Sequence, residues 1–77
     1  MDQITQAAFR DLWQLWKDNQ GIGDDRHAWD HLTAAAREIT EQAAAAEDPE
    51  FIVAFAIDVL DSLDRINRQV KNEEGRG

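Results

Sequence analysis

The chain has 77 residues, no cysteine and a formal net charge of −8. A chain of this length supports one small domain, and the absence of cysteine excludes disulfides and thiolate metal sites. The acidic charge opposes direct binding to DNA or RNA, because proteins bind phosphate backbones by replacing counterions with lysine and arginine. The sequence contains neither a run of apolar residues long enough for a membrane span nor the pattern of a secretion signal, so we expect a soluble cytoplasmic protein.

Apolar residues recur at helical spacing along most of the chain, and strict two-residue alternation is absent, which predicts an all-α fold. Three helices are expected, near residues 3–19, 26–46 and 50–70. They form a single domain over residues 1–70, followed by a frayed polar tail over residues 71–77. The predicted architecture is a compact three-helix bundle in which the first helix packs across a hairpin made by the second and third.

The first predicted helix has an N-cap at Asp2 and ends before the segment 19–23, where glycines stop it. Four of its apolar residues follow the spacing of a stripe that faces a core. The stripe consists of Phe9, Leu12, Trp13 and Trp16. Both tryptophans are therefore expected in the core, although the sequence leaves open that one of them reaches the surface, since tryptophan is rarely buried completely.

The second predicted helix, capped by Asp24 or Asp25, carries two histidines four residues apart. This spacing can place the imidazoles of His27 and His31 on one metal ion. On a helical wheel, however, both histidines point away from Trp29 and into solvent, and a third ligand is missing. We interpret this region as a solvated helix face and retain the histidine pair only as a candidate metal site.

Catalysis by paired carboxylates requires two acids held in different environments within a pocket. Here the acids fall on the predicted helix exteriors, and the sequence has neither a Ser/His/Asp arrangement nor a glycine-rich phosphate loop after a strand. We therefore predict no catalytic residue, no cofactor and no enzyme activity. A metal-dependent enzyme built on the histidine pair is the remaining enzymatic hypothesis.

The third predicted helix has the clearest start in the chain, because Asp48 is a good N-cap, Pro49 suits the first helical position and Glu50 favours the positive end of the helix dipole. Its apolar residues then repeat at alternating steps of four and three, which places them on one face. This seam, which we expect to face the core, consists of Ile52, Ala56, Val59, Leu63, Ile66 and Val70.

Another apolar strip on the third helix lies outside that seam. Val53 and Ile57 fall roughly 100° and 140° around the helix from Ile52, on the side that should face water in a monomer. Leu60 borders the pair, and an apolar strip edged with acid is typical of an interaction surface. The candidate partner-binding residues are Val53, Ile57 and Leu60, with Asp58, Asp61 and Asp64 as an acidic rim. The alternative is that the first helix covers this strip.

The negative charge is concentrated between Arg37 and Arg65, where eight carboxylates and no lysine or arginine occur. Such a surface favours a basic partner electrostatically, although acidic residues can also serve solubility alone. Our first hypothesis is therefore a non-enzymatic acidic protein-binding module whose partner has a basic and apolar surface. A homodimer in which two third helices pair antiparallel would use the same strip.

The alternative function is a phage-type inhibitor of a nucleic-acid-processing enzyme, acting by imitation of DNA with its carboxylates. Neither hypothesis includes direct nucleic-acid binding or a membrane partner. The sequence pattern that bears on origin comprises Phe9, Leu12, Trp13, Trp16 and Lys17, an acidic turn before Trp29, and then Phe51, Leu60, Leu63, Asp64 and Arg65. It resembles that of short uncharacterised helical proteins of bacterial prophages and other mobile elements. The resemblance carries no assigned activity and implies an accessory protein, an inhibitor or adaptor that binds a host machine.

Overall fold

The computed structural model describes residues 2–76 of the chain and the side chains of residues 2–69. This part is all-α and confirms the predicted three-helix bundle, with every pair of helices in contact. The helices are α1 Gln3–Asp18, α2 Arg26–Gln42 and α3 Pro49–Arg76, and one turn of 3₁₀-helix, Ala43–Ala45, follows α2. Among the described residues, no helix combines the length and the apolarity needed to cross a lipid bilayer.

Each α-helix begins after an aspartate whose carboxylate accepts a hydrogen bond from a backbone N–H three residues later. The bonds join the N–H of Thr5 to Asp2 (2.7 Å), of Ala28 to Asp25 (3.2 Å) and of Phe51 to Asp48 (3.2 Å). These carboxylates satisfy backbone donors that the first turn of a helix leaves free. The predicted caps are thereby confirmed, with Asp25 rather than Asp24 capping α2.

Two helix ends differ from the prediction. The α-helical part of α2 ends at Gln42, and the chain tightens into the 3₁₀ turn before reaching residue 46. In contrast, α3 continues to Arg76 instead of ending near residue 70. The frayed tail expected over residues 71–77 stays a prediction, because the side chains there lie outside the described residues.

The core lies where the three helices meet and consists of aliphatic side chains, several of them alanine. Its buried members are Ala8 and Leu12 of α1, Leu32 and Ala36 of α2, Ala43 and Ala46 after α2, and Ile52, Ala56, Val59 and Leu63 of α3. The predicted seam of α3 is confirmed at its first four positions, and Ile66 is half-buried. Val70, its last predicted member, has a side chain outside the described residues.

The predicted core stripe of α1 is only partly buried, and one of its two tryptophans reaches the surface, the outcome that the sequence left open. The buried face of α1 is centred on Thr5, Ala8 and Leu12, whereas Trp13 is half-exposed and Trp16 half-buried. Each helix contributes buried alanine, and among the described residues no buried apolar side chain is larger than leucine or isoleucine, so the helices can approach closely. The large rings lie on the flank of α1 that adjoins α3.

A buried asparagine that the sequence did not single out fastens the α1–α2 turn to α3. The side-chain amide of Asn67 donates to the carbonyls of Asn19 and Leu63, both at 2.9 Å, and its oxygen accepts the N–H of Gly23 at 2.8 Å. The indole N–H of Trp29 donates to the Gly23 carbonyl at 2.9 Å. Gly23 has a φ of 60°, a left-handed conformation that favours glycine. These bonds set α2 antiparallel to its two neighbours.

Candidate functional site

A shallow groove of about 290 Å³ lies between α2 and α3, and we call it the α2–α3 groove. Among the described residues that line it, none belongs to α1. The wall from α2 consists of Thr33, Ala36, Arg37 and Thr40, and the wall from α3 consists of Val53, Ala56, Ile57 and Leu60. The groove therefore contains all three residues of the predicted apolar strip.

The outer part of this strip is open to solvent. Val53 is 44% exposed and Ile57 is 53% exposed, whereas Leu60 is half-buried and packs against the core. α1 contacts the opposite flank of α3, where the rings of Phe9 and Phe55 lie 5.0 Å apart between centroids. The first helix therefore does not cover the strip, and that alternative is wrong.

The α2 wall leaves the strip open, since two of its side chains are threonines whose hydroxyls are turned onto their own helix. The hydroxyl of Thr33 donates to the Trp29 carbonyl at 2.9 Å, and that of Thr40 donates to the Arg37 carbonyl at 2.8 Å. Both hydroxyls are thus satisfied by the α2 backbone and do not reach across to α3. The result is a concave surface with an aliphatic wall on one side and a threonine-rich wall on the other.

The three predicted rim acids do not share one edge of the groove. Asp61 follows Ile57 by four residues, and Asp64 follows Leu60 by four, so both lie one turn further along the face of the strip. Asp64 is ion-paired at 3.0 Å with the arginine four residues later, whereas Asp61 makes no ion pair with any described side chain. Asp58 is exposed but lies about 100° around the helix from Ile57, on the outer face of α3.

Sequence reasoning missed two acids and one cation at the groove. Glu50 precedes Val53 by three residues, which places an exposed carboxylate at the N-terminal end of the strip. On α2, Arg37 lines the groove, and the exposed Glu41 follows it by one turn. Arg37 forms no ion pair within the part of the chain that the structure describes. The spacing of Glu50 from Val53 was available in the sequence, but the position of α2 was not.

A second apolar surface, which we call the aromatic face, lies on the flank of α3 that adjoins α1. It consists of Phe9, Trp13, Trp16, Phe51 and Phe55. Phe51 is 53% exposed and Trp13 is 51% exposed. The ring of Phe51 nevertheless meets that of Phe9 edge-on at 5.5 Å, and Trp13 stacks on Trp16 at 5.0 Å. These are favourable aromatic geometries, so the exposed rings already have partners within the fold.

The predicted metal candidates lie apart from both surfaces. His27 and His31 are exposed on α2, on a face that points to solvent. Among the described residues there is no group of three or more histidine, cysteine, aspartate or glutamate side chains that could hold a metal ion. The histidine pair thus has two imidazoles on one helix face and lacks the additional ligands that a structural zinc site requires.

One carboxyl group has a shifted pKa, and the cause is structural. Asp2 accepts the N–H of Thr5 at 2.7 Å through one oxygen and the N–H of Glu47 at 2.9 Å through the other. These hydrogen bonds, that from Thr5 first, lower the pKa of Asp2 below the ordinary value of 3.8. Asp2 therefore fastens the start of α1 to the turn before α3.

The α2–α3 groove offers apolar contact area bordered by carboxylates and one guanidinium group. Comparison of the chain with protein-family models, with curated proteins and with solved structures finds no match.

Proposed function

We propose that this protein is a non-enzymatic protein-binding module that holds its partner on the α2–α3 groove. The observation that carries the proposal is the exposure of Val53 and Ile57 on a concave surface where no described element of the chain packs. Single exposed apolar residues are common on monomers and need no explanation. A neighbouring pair that continues into the core through Leu60 is instead typical of an interaction surface.

The partner is a protein with a basic and apolar surface, or a second copy of this chain. Apolar contacts would supply most of the affinity, and the carboxylates around the groove would favour positive charge on the partner. The predicted cytoplasmic location and the implied role as an accessory protein that binds a host machine are parts of the same proposal.

Site-specific photo-crosslinking in cells that express the full chain tests this proposal. A photoreactive phenylalanine analogue placed at position 57 should give a discrete protein adduct after irradiation, because this side chain would lie inside the interface. The matched control is the same analogue at position 69, since Gln69 is exposed on the same helix but outside the groove. An adduct of twice the chain mass would identify a second copy as the partner.

Equal adduct yields from positions 57 and 69, or none from position 57, would overturn the proposal. The variant Ile57→Asp should remove the interaction detected from a second groove position, Val53, while the helical circular dichroism stays unchanged. A charge in place of an exposed side chain removes apolar contact without disturbing the core.

Imitation of DNA is the second candidate function, and the distribution of acids favours it. Of the eight carboxylates between Arg37 and Arg65, seven are exposed, and only Asp64 is in an ion pair within residues 2–69. This function predicts partner binding that weakens steeply with salt and is unaffected by Ile57→Ala. Binding at the α2–α3 groove predicts the reverse, namely that affinity depends moderately on salt and is strongly reduced by Ile57→Ala.

A further inference from the structure

Building on the proposed function, we infer that the occupant of the α2–α3 groove is a cationic amphipathic α-helix of another protein. The shape of the groove is the first argument. Val53 and Leu60 are seven residues apart, so the strip extends for two helical turns, or about 10 Å. A helix laid between α2 and α3 would complete a four-helix arrangement, and its own apolar residues at i, i+4 and i+7 would meet the strip.

The charges at the two ends of the strip are the second argument. Glu50 lies three residues before Val53, and Asp61 lies four residues after Ile57, so the strip has an exposed carboxylate at each end. Neither of these two acids is ion-paired with any side chain from residues 2–69. Lysine or arginine flanking the apolar anchors of the partner would therefore meet negative charge at both ends.

The α2 side of the groove adds one specific feature. Arg37 lines the groove and Glu41 lies one turn beyond it, which gives this edge one charge of each sign. A partner helix that carries a single acid opposite Arg37, within an otherwise basic polar face, would satisfy the guanidinium. This arrangement predicts a preferred direction for the partner helix, because only one direction brings that acid to Arg37.

A second copy of the chain fits the groove less well. Pairing two α3 helices around a two-fold axis would bring Glu50 and Asp61 of both copies onto one interface. Each chain already has a net charge of −8, so like-charge repulsion opposes this pairing.

Titration of the isotope-labelled full chain with synthetic peptides, followed by NMR amide shifts at low salt, tests the inference. The probe is a 16-residue helix-forming peptide with leucines at i, i+4 and i+7, a lysine and arginine polar face, and one glutamate. Two control peptides keep its length: one has the same residues in scrambled order, and one replaces lysine and arginine by glutamate. The cationic amphipathic peptide should bind at least about tenfold more tightly than either control.

Three variants locate the binding. Ile57→Asp should weaken binding of the cationic peptide by about tenfold or more, because it places a charge among the apolar contacts. Asp61→Lys should weaken it by about threefold, the usual size of an exposed charge effect. The matched control is Asp58→Lys, which makes the same charge change outside the groove and should leave affinity unchanged once salt is raised to about 0.15 M. Circular dichroism of each variant verifies that the helices remain.

Several results would overturn the inference. These are the absence of saturable binding, equal binding of the scrambled peptide, equal effects of Asp58→Lys and Asp61→Lys, or amide shifts centred on the aromatic face. Light scattering that shows a dimer, lost in Ile57→Asp, would overturn it as well, because the second copy would then occupy the groove. A crosslinked adduct from position 57 without peptide binding would contradict the inference and leave the proposed function standing. Peptide binding without any crosslinked adduct would contradict the proposed function, and with it the inference that rests on it.

Discussion

The two flanks of α3 each carry apolar side chains that are about half-exposed, and the flanks differ in which side chains face those residues. On the α1 side, Phe51 and Trp13 are half-exposed, but each is in contact with a ring from the same fold. On the α2 side, Val53 and Ile57 are exposed to a similar degree and face the threonine-rich wall of the groove. The exposed fraction of a side chain alone therefore does not distinguish a surface that binds a partner from one whose side chains already contact each other within the fold.

The contacts on the α1 side explain why its rings are stable where they lie. The indole N–H of Trp16 donates to the hydroxyl of Ser62 at 3.1 Å, and the ammonium of Lys17 lies 6.0 Å from the centre of the Trp13 ring. Aromatic pairs of these geometries contribute about 0.5–1.5 kcal/mol beyond the burial of their area. The aliphatic strip has no equivalent interaction, so its exposed atoms gain most from contact with another molecule.

The largest expected effect separates the buried seam from the strip on the same helix. Ile52→Ala should lower the free energy of unfolding by about 2–5 kcal/mol, because Ile52 is fully buried and its loss leaves a cavity. Ile57→Ala removes the same atoms from a half-exposed position and should change it by no more than about 0.5 kcal/mol. Urea unfolding followed by circular dichroism measures both. A cost above about 2 kcal/mol for Ile57→Ala would mean that the strip is covered.

The next effect concerns Asn67, which fastens the α1–α2 turn to α3. Asn67→Ala should cost about 1–3 kcal/mol, because it leaves the half-buried N–H of Gly23 and the carbonyl of Asn19 without their hydrogen bonds. Thermal and urea unfolding measure this change. Gln69→Ala, two residues further on and exposed, serves as the matched control and should be nearly neutral. Equal costs for the two variants would refute the anchoring role of Asn67.

A smaller effect compares the flanks directly, through two side chains of similar exposure. Trp13→Ala should cost about 1 kcal/mol, since it removes the stacking on Trp16 and the contact with the Lys17 ammonium. Ile57→Ala is the matched variant on the other flank and should cost less. Urea unfolding of the two variants in parallel decides the order. If Ile57→Ala lowers the free energy of unfolding more than Trp13→Ala does, the aromatic face and the α2–α3 groove do not differ in this way.

The smallest effect is a pH dependence at the start of α1. Asp2 has a lowered pKa in the folded state, so its stabilisation is complete above 3.8 and is lost as the pH falls through the folded-state pKa. Asp2→Asn should therefore lower the melting temperature at pH 7, and its difference from the parent should shrink below pH 3.8. Thermal scans over this range measure it. A difference that stays constant from pH 7 to below pH 3.8 would refute this role of Asp2.

Most of the local structure could be predicted because its causes lie within a few residues along the chain. The caps at Asp2, Asp25 and Asp48 follow from side chains that reach a backbone N–H three residues later. The buried seam of α3 follows from helical periodicity, which also placed Val53 and Ile57 outside the core. These predictions required no knowledge of which helices are neighbours.

The errors concern contacts between helices. Trp13 fits the core stripe by its spacing, whereas the buried face of α1 passes through Ala8 and Leu12 and leaves Trp13 half-exposed. Asp58 lies about 100° around α3 from Ile57, and which side of the helix the groove occupies depends on the position of α2. In the sequence Asn67 is indistinguishable from other polar residues, and its role depends on the α1–α2 turn, which packs against it in the folded chain.

By itself the sequence determined an acidic all-α protein with three capped helices and an apolar strip outside its core seam, since composition, capping and periodicity act locally. Only the tertiary structure decided which flank of α3 each neighbour occupies, and therefore that the aromatic side chains pair with one another while Val53 and Ile57 stay open. The physical reason is that helix packing depends on the fit of side chains from all three helices at once. The position of one helix can thus determine the exposure of a side chain on another.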